Sequence, residues 1–197
     1  MSRKSDILSR IRKHAPSNVA LPADLMGGIR FADRQGQFAE VLKSVGGHVA
    51  EVAQRDGLRD AIVNLPCMAG AKQIVCTLAD VEVGNLSLAD VADPHELAGV
   101  DVAIVAGEFG VAENGAVWVN GQTLRHRSVL FLAQHLVLVV PCEAMCDNLH
   151  EAYARLGFDS AGYGVFISGP SKTADIEQSL VIGAHGPRSL TVILTGG

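Results

Sequence analysis

The stretch Tyr163-Gly164-Val165-Phe166-Ile167-Ser168-Gly169-Pro170-Ser171-Lys172-Thr173-Ala174-Asp175 decides how this chain is read. An apolar, strand-like run ends in a Gly/Pro/Ser turn, and the residues beyond it read as a helix, Thr173 to Ile182. In α/β folds, a strand followed by such a turn and a helix N-terminus presents unpaired backbone N–H groups to an anion. Lys172 adds a positive charge, and the Ser168, Ser171 and Thr173 hydroxyls add donors. Ordinary local rules account for the same residues. Gly169-Pro170 is a common turn, Thr173 a common N-cap, and Asp175 and Glu177 suit the positive end of a helix dipole while opposing the field an anion would feel. A ligand loop and a plain capped turn both fit.

Outward from this stretch, the pattern alternates. Ser2 to His14 reads as a helix whose Ile7, Leu8 and Ile11 lie at helical spacing among Arg3, Lys4, Arg10, Arg12 and Lys13. That stripe marks a docking helix with a solvated basic face rather than a nucleic-acid arm. Gly28 to Gly36 is loop-like, and the helical stripe Phe38, Val41, Leu42, Val45 stops at Gly46-Gly47. Strands are expected at His48 to Val52, Gln73 to Thr77, Val100 to Ala106, His135 to Val140, Gly164 to Ile167 and Leu190 to Leu194. Short helices are expected at Gly57 to Asn64, at Arg127 to Ala133 and, longer, at Cys142 to Leu156. Asp93-Pro94 carries a capping signal, and Asn114-Gly115 between apolar stretches signals a β-hairpin near 110–120.

Apolar strands separated by helices give an α/β fold: a mostly parallel sheet with helices on both faces. In such sheets ligands gather at the strands' carboxyl ends, so Gly107 to Asn114, Pro141 to Cys146 and Ser168 to Thr173 are expected to converge on one rim. The 197 residues suit one domain, and the 48% apolar, 5% aromatic composition suits an Ala/Val/Leu-packed α/β interior. A net charge of −5 argues against nucleic acid as a partner. No run has secretory h-region or transmembrane character, so no membrane association and a cytoplasmic location are expected.

Glu113, in Ala112-Glu113-Asn114-Gly115, is the acid best placed for chemistry. A carboxylate held by a tight turn can act as nucleophile, base or ligand acceptor, and it can equally be an exposed turn glutamate. Trp118 suits core packing or ligand stacking. Arg125, His126 and Arg127 precede an apolar helix, where they neutralise a ligand or simply face solvent. His135 opens a strand, where histidine ordinarily finds a backbone partner. His185 and Arg188 flank Gly186-Pro187 between the expected last helix and last strand. That connection belongs at the rim opposite the strand carboxyl ends, so they support the loop from below or meet a partner.

The four cysteines form no zinc or iron–sulfur spacing. A helical Cys142 to His150 would put Cys142, Cys146 and His150 on one face. That face is either a soft-metal site or a pair of small buried hydrophobes beside a histidine, and no metal is expected. Phosphate-loop, dinucleotide-binding, nucleophile-elbow and zinc-protease motifs do not occur in the sequence.

The segment Gly169 to Glu177, with Gly183-Ala184-His185-Gly186-Pro187-Arg188 and the closing strand, resembles the C-terminal hallmark of LUD-domain proteins, the lactate utilization proteins of the C (LutC, YkgG) type. Ala112 to Gly115 and the opening Ile7-Leu8-Ser9-Arg10-Ile11-Arg12 are similar to that family's corresponding segments, although Ala133 stands where a proline is more usual. The resemblance implies one LUD-type domain over residues 1–197, with residues 1–15 as an N-terminal docking helix. It implies a fold similar to the NagB/RpiA/CoA-transferase class. It further implies an accessory role in oxidising L-lactate to pyruvate, beside iron–sulfur partner proteins that carry the clusters, with no cofactor bound by this chain. Under that reading Glu113 is the catalytic candidate. Gly107, Asn114, Ser168, Gly169, Pro170, Ser171, Lys172, Thr173 and Asp175 bind a small anionic molecule, and Arg127, His185 and Arg188 support them. A stand-alone enzyme of the CoA-transferase or sugar-phosphate-isomerase class and a non-catalytic scaffold are the alternatives, and a homo-oligomer is compatible with any of them.

Overall fold

Along the strand Val102-Ala103-Ile104-Val105 every side chain is buried, and successive residues turn to opposite faces. Val102 and Ile104 join one core cluster and Ala103 and Val105 another, so this strand lies between two covering layers. The computed structural model describes residues 3–15, 28–157, 162–173 and 181–196. The chain enters through α1 (Arg3–His14), and α2 (Arg34–Ser44) leads into β1 (His48–Val52). Then come α3 (Leu58–Val63), β2 (Ile74–Cys76) and β3 (Val102–Ala106), which continues into a hairpin of β4 (Phe109–Val111) and β5 (Ala116–Asn120). A four-residue α4 (Val129–Leu132), β6 (His135–Pro141), β7 (Met145–Cys146), α5 (Leu149–Arg155) and β8 (Gly164–Ile167) follow. Two short strands, β9 (Lys172–Thr173) and β10 (Val181–Ile182), precede the last strand, β11 (Ser189–Thr195).

Five strands form one parallel sheet in the order β1-β11-β6-β3-β2. Its register aligns Leu136 with Leu190 on one side and with Ala103 on the other. Leu58 and Ile62 of α3 cover one face, over Val102, Ile104, Val137, Val139 and Ile193. Phe38 and Leu42 of α2 and Val129 and Leu130 of α4 cover the other, over Leu136, Leu138, Leu190 and Val192. Helices on both faces are thus found, but the second face is shared with a smaller sheet, β7-β4-β5-β8. The expected hairpin is present and has a four-residue loop, because Val111 pairs with Ala116. Gly115 takes φ +64°, and the Asn114 Oδ1 accepts the Ala116 N–H at 3.1 Å.

α2 ends as its glycines foretell. Gly46, at φ +83°, donates to the Lys43 carbonyl and Gly47 to the Leu42 carbonyl, both at 2.9 Å, which satisfies carbonyls the helix would otherwise orphan. The helix begins at Arg34, inside the expected loop, because Asp33 caps it through the Gly36 N–H. Two expected helices are corrected. Cys142 to Leu156 is not one helix: Met145 and Cys146 pair with Gly110 and Val111, and α5 starts only after the Asn148 cap. Cys142, Cys146 and His150 therefore share no helix face, and no metal-binding cluster of three His, Cys, Asp or Glu side chains exists among the described residues. Thr173 and Ile182, the expected ends of a helix, lie in β9 and β10, which pair antiparallel; Asp175 and Glu177 lie outside the described residues. The stripe of α1 is present, yet none of its residues is buried, and Ile7 and Ile11 are 58% and 60% exposed. No helix among the described residues is long and apolar enough to cross a membrane.

A buried carboxylate stitches the segment before α2 to the segment before α5. Asp147, 1% exposed, accepts the Phe31 N–H at 2.9 Å and the Arg34 guanidinium at 2.7 Å. Beside it, the Asn148 amide donates to the Ile29 carbonyl at 2.9 Å. A buried charge must be paired in this way. The Arg34 hydrogen bond, then the Phe31 N–H, hold the Asp147 carboxyl below its ordinary 3.8. A depressed carboxylate stabilises the fold fully above its unfolded value, and that contribution is lost as pH falls through the folded value. Thermal melts from pH 7 down to 2 are therefore expected to show Asp147→Asn melting below wild type at neutral pH, with the gap closing in acid. Parallel curves over the whole range would contradict this.

Candidate functional site

The Gly/Pro/Ser bend is held from three sides. Ser168 Oγ donates to the Asn114 carbonyl at 2.8 Å, which joins the bend to the hairpin tip. Gly169 takes φ +73°, and a Cβ there would lie 2.7 Å from the Val45 carbonyl oxygen, so only glycine fits against the end of α2. The Ser171 N–H donates to the Pro187 carbonyl and its own carbonyl accepts the Gly183 N–H, both at 2.9 Å. With Lys172 opposite Ile182 and Thr173 opposite Val181, the two halves of the C-terminal motif are laced to each other.

Between them lies a cleft of about 320 Å³. Leu136, Val165 and Ile167 supply apolar wall, Phe131 comes from α4, and Ser168, Ser171, Lys172 and His185 supply the polar groups. Lys172 is exposed, and no described carboxylate pairs with it. A cleft of mainly apolar wall with a few convergent polar groups suits a small molecule. Here the free ammonium and the Ser171 hydroxyl suit an anionic one, the Ser168 hydroxyl being spent on Asn114. No helix N-terminus begins at Thr173, which lies in β9. The Ser171 N–H is taken by Pro187. Positive charge at this cleft comes from Lys172.

The meeting of hairpin and bend agrees with expectation; the rim does not. Gly107 and Cys142 sit at the carboxyl ends, where their N–H groups reach Val139 and Thr195. Ser168 to Thr173 instead lie beside Val45-Gly46, which enters β1, and Pro187, which precedes β11. The cause is the direction of β8, which pairs antiparallel with β5 in the small sheet rather than joining the parallel one. Gly164 starts opposite Asn120, and the strand ends at the hairpin tip. His185 consequently shares the cleft with Lys172 instead of lying on the far rim.

The other candidates are distributed more widely. Glu113 does not line the cleft; its Oε2 accepts the Leu149 N–H at 2.9 Å, at the start of α5. Asn114 serves through its carbonyl. Arg127 lies over the Tyr163 ring, 4.8 Å from its centroid, away from the cleft. Arg188 lines a different cleft, with His135. His135 bonds to a side chain rather than to backbone, Nδ1 lying 2.8 Å from Ser189 Oγ. Trp118 is half-buried in a cluster with Phe109 and Phe166. Sequence reasoning missed Phe131, 41% exposed at the mouth. A signal existed: Val129 to Leu132 is four apolar residues in a four-residue helix, which buries only Val129 and Leu130.

A parallel α/β sheet, faced on one side by a small mixed sheet and carrying a cationic cleft at its amino end, defines the class. A solved DUF162-family protein from Deinococcus radiodurans has the same fold, with TM-score 0.61 and 17% identity over 83% of this chain and 96% of that one. The LUD domain profile matches residues 89–195, more than half of the chain, and this chain belongs to the LUD-domain family. Its relatives include proteins named lactate utilization protein C. The one from Shouchella clausii is 37% identical over 44% of this chain and 40% of its own length. That from Geobacillus thermodenitrificans is 32% identical over 58% and 50%, and that from Oceanobacillus iheyensis 28% over 48% and 43%. The chain spans half or less of the length of these relatives.

Gly169→Ala tests the packing of the bend. The positive φ and the Val45 contact together are expected to cost about 2 kcal/mol, lowering the Tm by about 4–8 °C for a chain of this size. A Tm within one degree of wild type would show that the bend does not rest on α2.

Proposed function

We propose that this chain serves in lactate utilization as the LUD-domain component of an L-lactate-oxidising system, beside partner proteins that carry iron–sulfur clusters. In this reading, the cleft of Lys172 binds a small carboxylate or other small anion. One observation carries it: Gly169 to Lys172 from the first half of the family-like motif and His185 to Pro187 from the second line one cleft, whose ammonium has no carboxylate partner among the described residues. The relatives named lactate utilization protein C supply the biological context.

The chemistry is binding and orientation. Lys172 offers a compact cation on a flexible stem, and the Ser171 hydroxyl a donor. Ser168 is already committed to Asn114, so it fixes the bend rather than the ligand. Phe131 and Ile167 would cover the apolar part of a bound molecule and raise the strength of the charge contact by excluding water. Glu113, bound to the start of α5, holds the hairpin in place.

Calorimetric titration of the purified chain with L-lactate, pyruvate, coenzyme A and phosphosugars tests this. Heat is expected with a small carboxylate, weakened at least about tenfold by Lys172→Ala, since charge-assisted contacts contribute about 1.5–3 kcal/mol. Glu113→Gln is expected to bind as wild type does. Silence with every compound, or a Lys172→Ala variant that binds normally, would overturn the reading.

A further inference from the structure

On the other side of the Gly183–Arg188 strap lies a second cleft, about 470 Å³, that the proposed function does not use. It opens at the amino ends of the parallel strands, where Asp101 precedes β3, His135 opens β6 and Arg188 precedes β11. Cys67 and Gln134 also line it.

The walls carry two opposite charges, Asp101 and Arg188, that form no ion pair with each other. Asp101 accepts the Lys72 and Gln73 N–H groups at 2.7 and 2.9 Å, both on Oδ2. Its Oδ1 has no hydrogen bond among the described residues. Arg188 is anchored at its backbone, whose N–H donates to the Gln134 carbonyl at 2.8 Å. Its stem passes over Gly183, where φ is +75° and a Cβ would lie 2.5 Å from the Arg188 Cγ. No described carboxylate lies within 4.0 Å of the Arg188 guanidinium. Between the two charges stands His135, its Nδ1 bonded to Ser189 Oγ, leaving Nε2 as the ring nitrogen without a hydrogen bond among the described residues.

Burial, then Arg188, hold the His135 imidazole below its ordinary 6.5, against the pull of Asp101. The Gln73 and Lys72 N–H groups, with the Lys72 ammonium at longer range, hold the Asp101 carboxyl below 3.8. Burial also pushes the Cys67 thiol up. At neutral pH the lining therefore presents one anion, one cation, an uncharged imidazole and an uncharged thiol. A simple anion would meet Asp101 unfavourably and a simple cation would meet Arg188 unfavourably. A small molecule carrying both charges satisfies each wall.

We propose that this cleft is a binding site for a small zwitterion of the α-amino acid class, its carboxylate on Arg188 and its ammonium on Asp101. Arginine's planar fork matches a carboxylate, and the His135 Nε2 provides a further polar contact beside it.

The test uses the full chain and a panel of glycine, L-alanine and L-serine, with acetate, glycolate and methylamine as controls. Binding is read by calorimetry and by the His135 imidazole resonances in NMR. At least one amino acid is expected to bind and shift His135, at least about tenfold more tightly than acetate or glycolate. Arg188→Gln, an exposed substitution, is expected to weaken it by a similar factor. Asp101→Asn, whose amide oxygen can still take the Lys72 and Gln73 N–H groups, is expected to weaken it likewise. Lys172→Ala is expected to leave it unchanged, which separates this site from the neighbouring cleft. No binding by any amino acid, equal binding of acetate or glycolate, or loss of binding on Lys172→Ala would overturn the proposal.

Discussion

Three backbone segments meet at the C-terminal end of α2, and each comes close enough only because a glycine is there. Gly46 turns the chain out of the helix at φ +83°. Gly115, at the hairpin tip, sits where a Cβ would lie 2.8 Å from the Leu42 nitrogen, and Gly169 meets the Val45 carbonyl in the same way. A side chain at either approach would force the hairpin or the bend away from α2, since both contacts are with backbone and fall short of ordinary van der Waals distance. The Ser168 bond to Asn114, the pairing of Ser171 with Pro187 and the cleft itself all follow from that convergence.

The same junction explains how Lys172 keeps an unneutralised charge. A Cβ on Gly46 would lie 3.7 Å from the Lys172 Nζ, so the ammonium hangs over the carbonyl end of an eleven-residue helix. The negative end of a helix dipole stabilises a nearby cation by about 0.3–1 kcal/mol at an exposed site. That is enough to bias where the side chain rests, and too little to tie it there against a bound anion. A carboxylate partner would have occupied the group instead.

Elements with strong local signals were legible in the sequence. The apolar run of β3, the glycine stop of α2 and the cap at Asp93-Pro94 follow from periodicity and side-chain chemistry alone. β8 was legible in position but not in direction, because its partner β5 is settled by packing 44 to 50 residues away in sequence, from Gly164–Asn120 to Ile167–Val117. β7 replaced an expected helix for a similar reason. Cys142 to Leu156 has helical spacing, yet Met145 and Cys146 gain more from pairing with Gly110 and Val111. Of the candidate site, the bend announced itself through Gly169-Pro170, whereas Phe131 and the split between His185 and Arg188 depend on the tertiary arrangement.

The general expectation that α/β ligands sit at strand carboxyl ends presumes that the binding loops leave the parallel strands themselves. Here the principal bend leaves a strand of the second sheet that runs the other way, and this delivers it to the amino ends. The strap of Gly183 to Arg188 then becomes a shared wall. Its Pro187 carbonyl is bonded to the Ser171 N–H on one side, and the next residue's N–H to the Gln134 carbonyl on the other. His185 and Arg188 accordingly face different clefts while being three residues apart on one short segment pinned at both edges. Movement of that segment on either side therefore strains a backbone hydrogen bond belonging to the other.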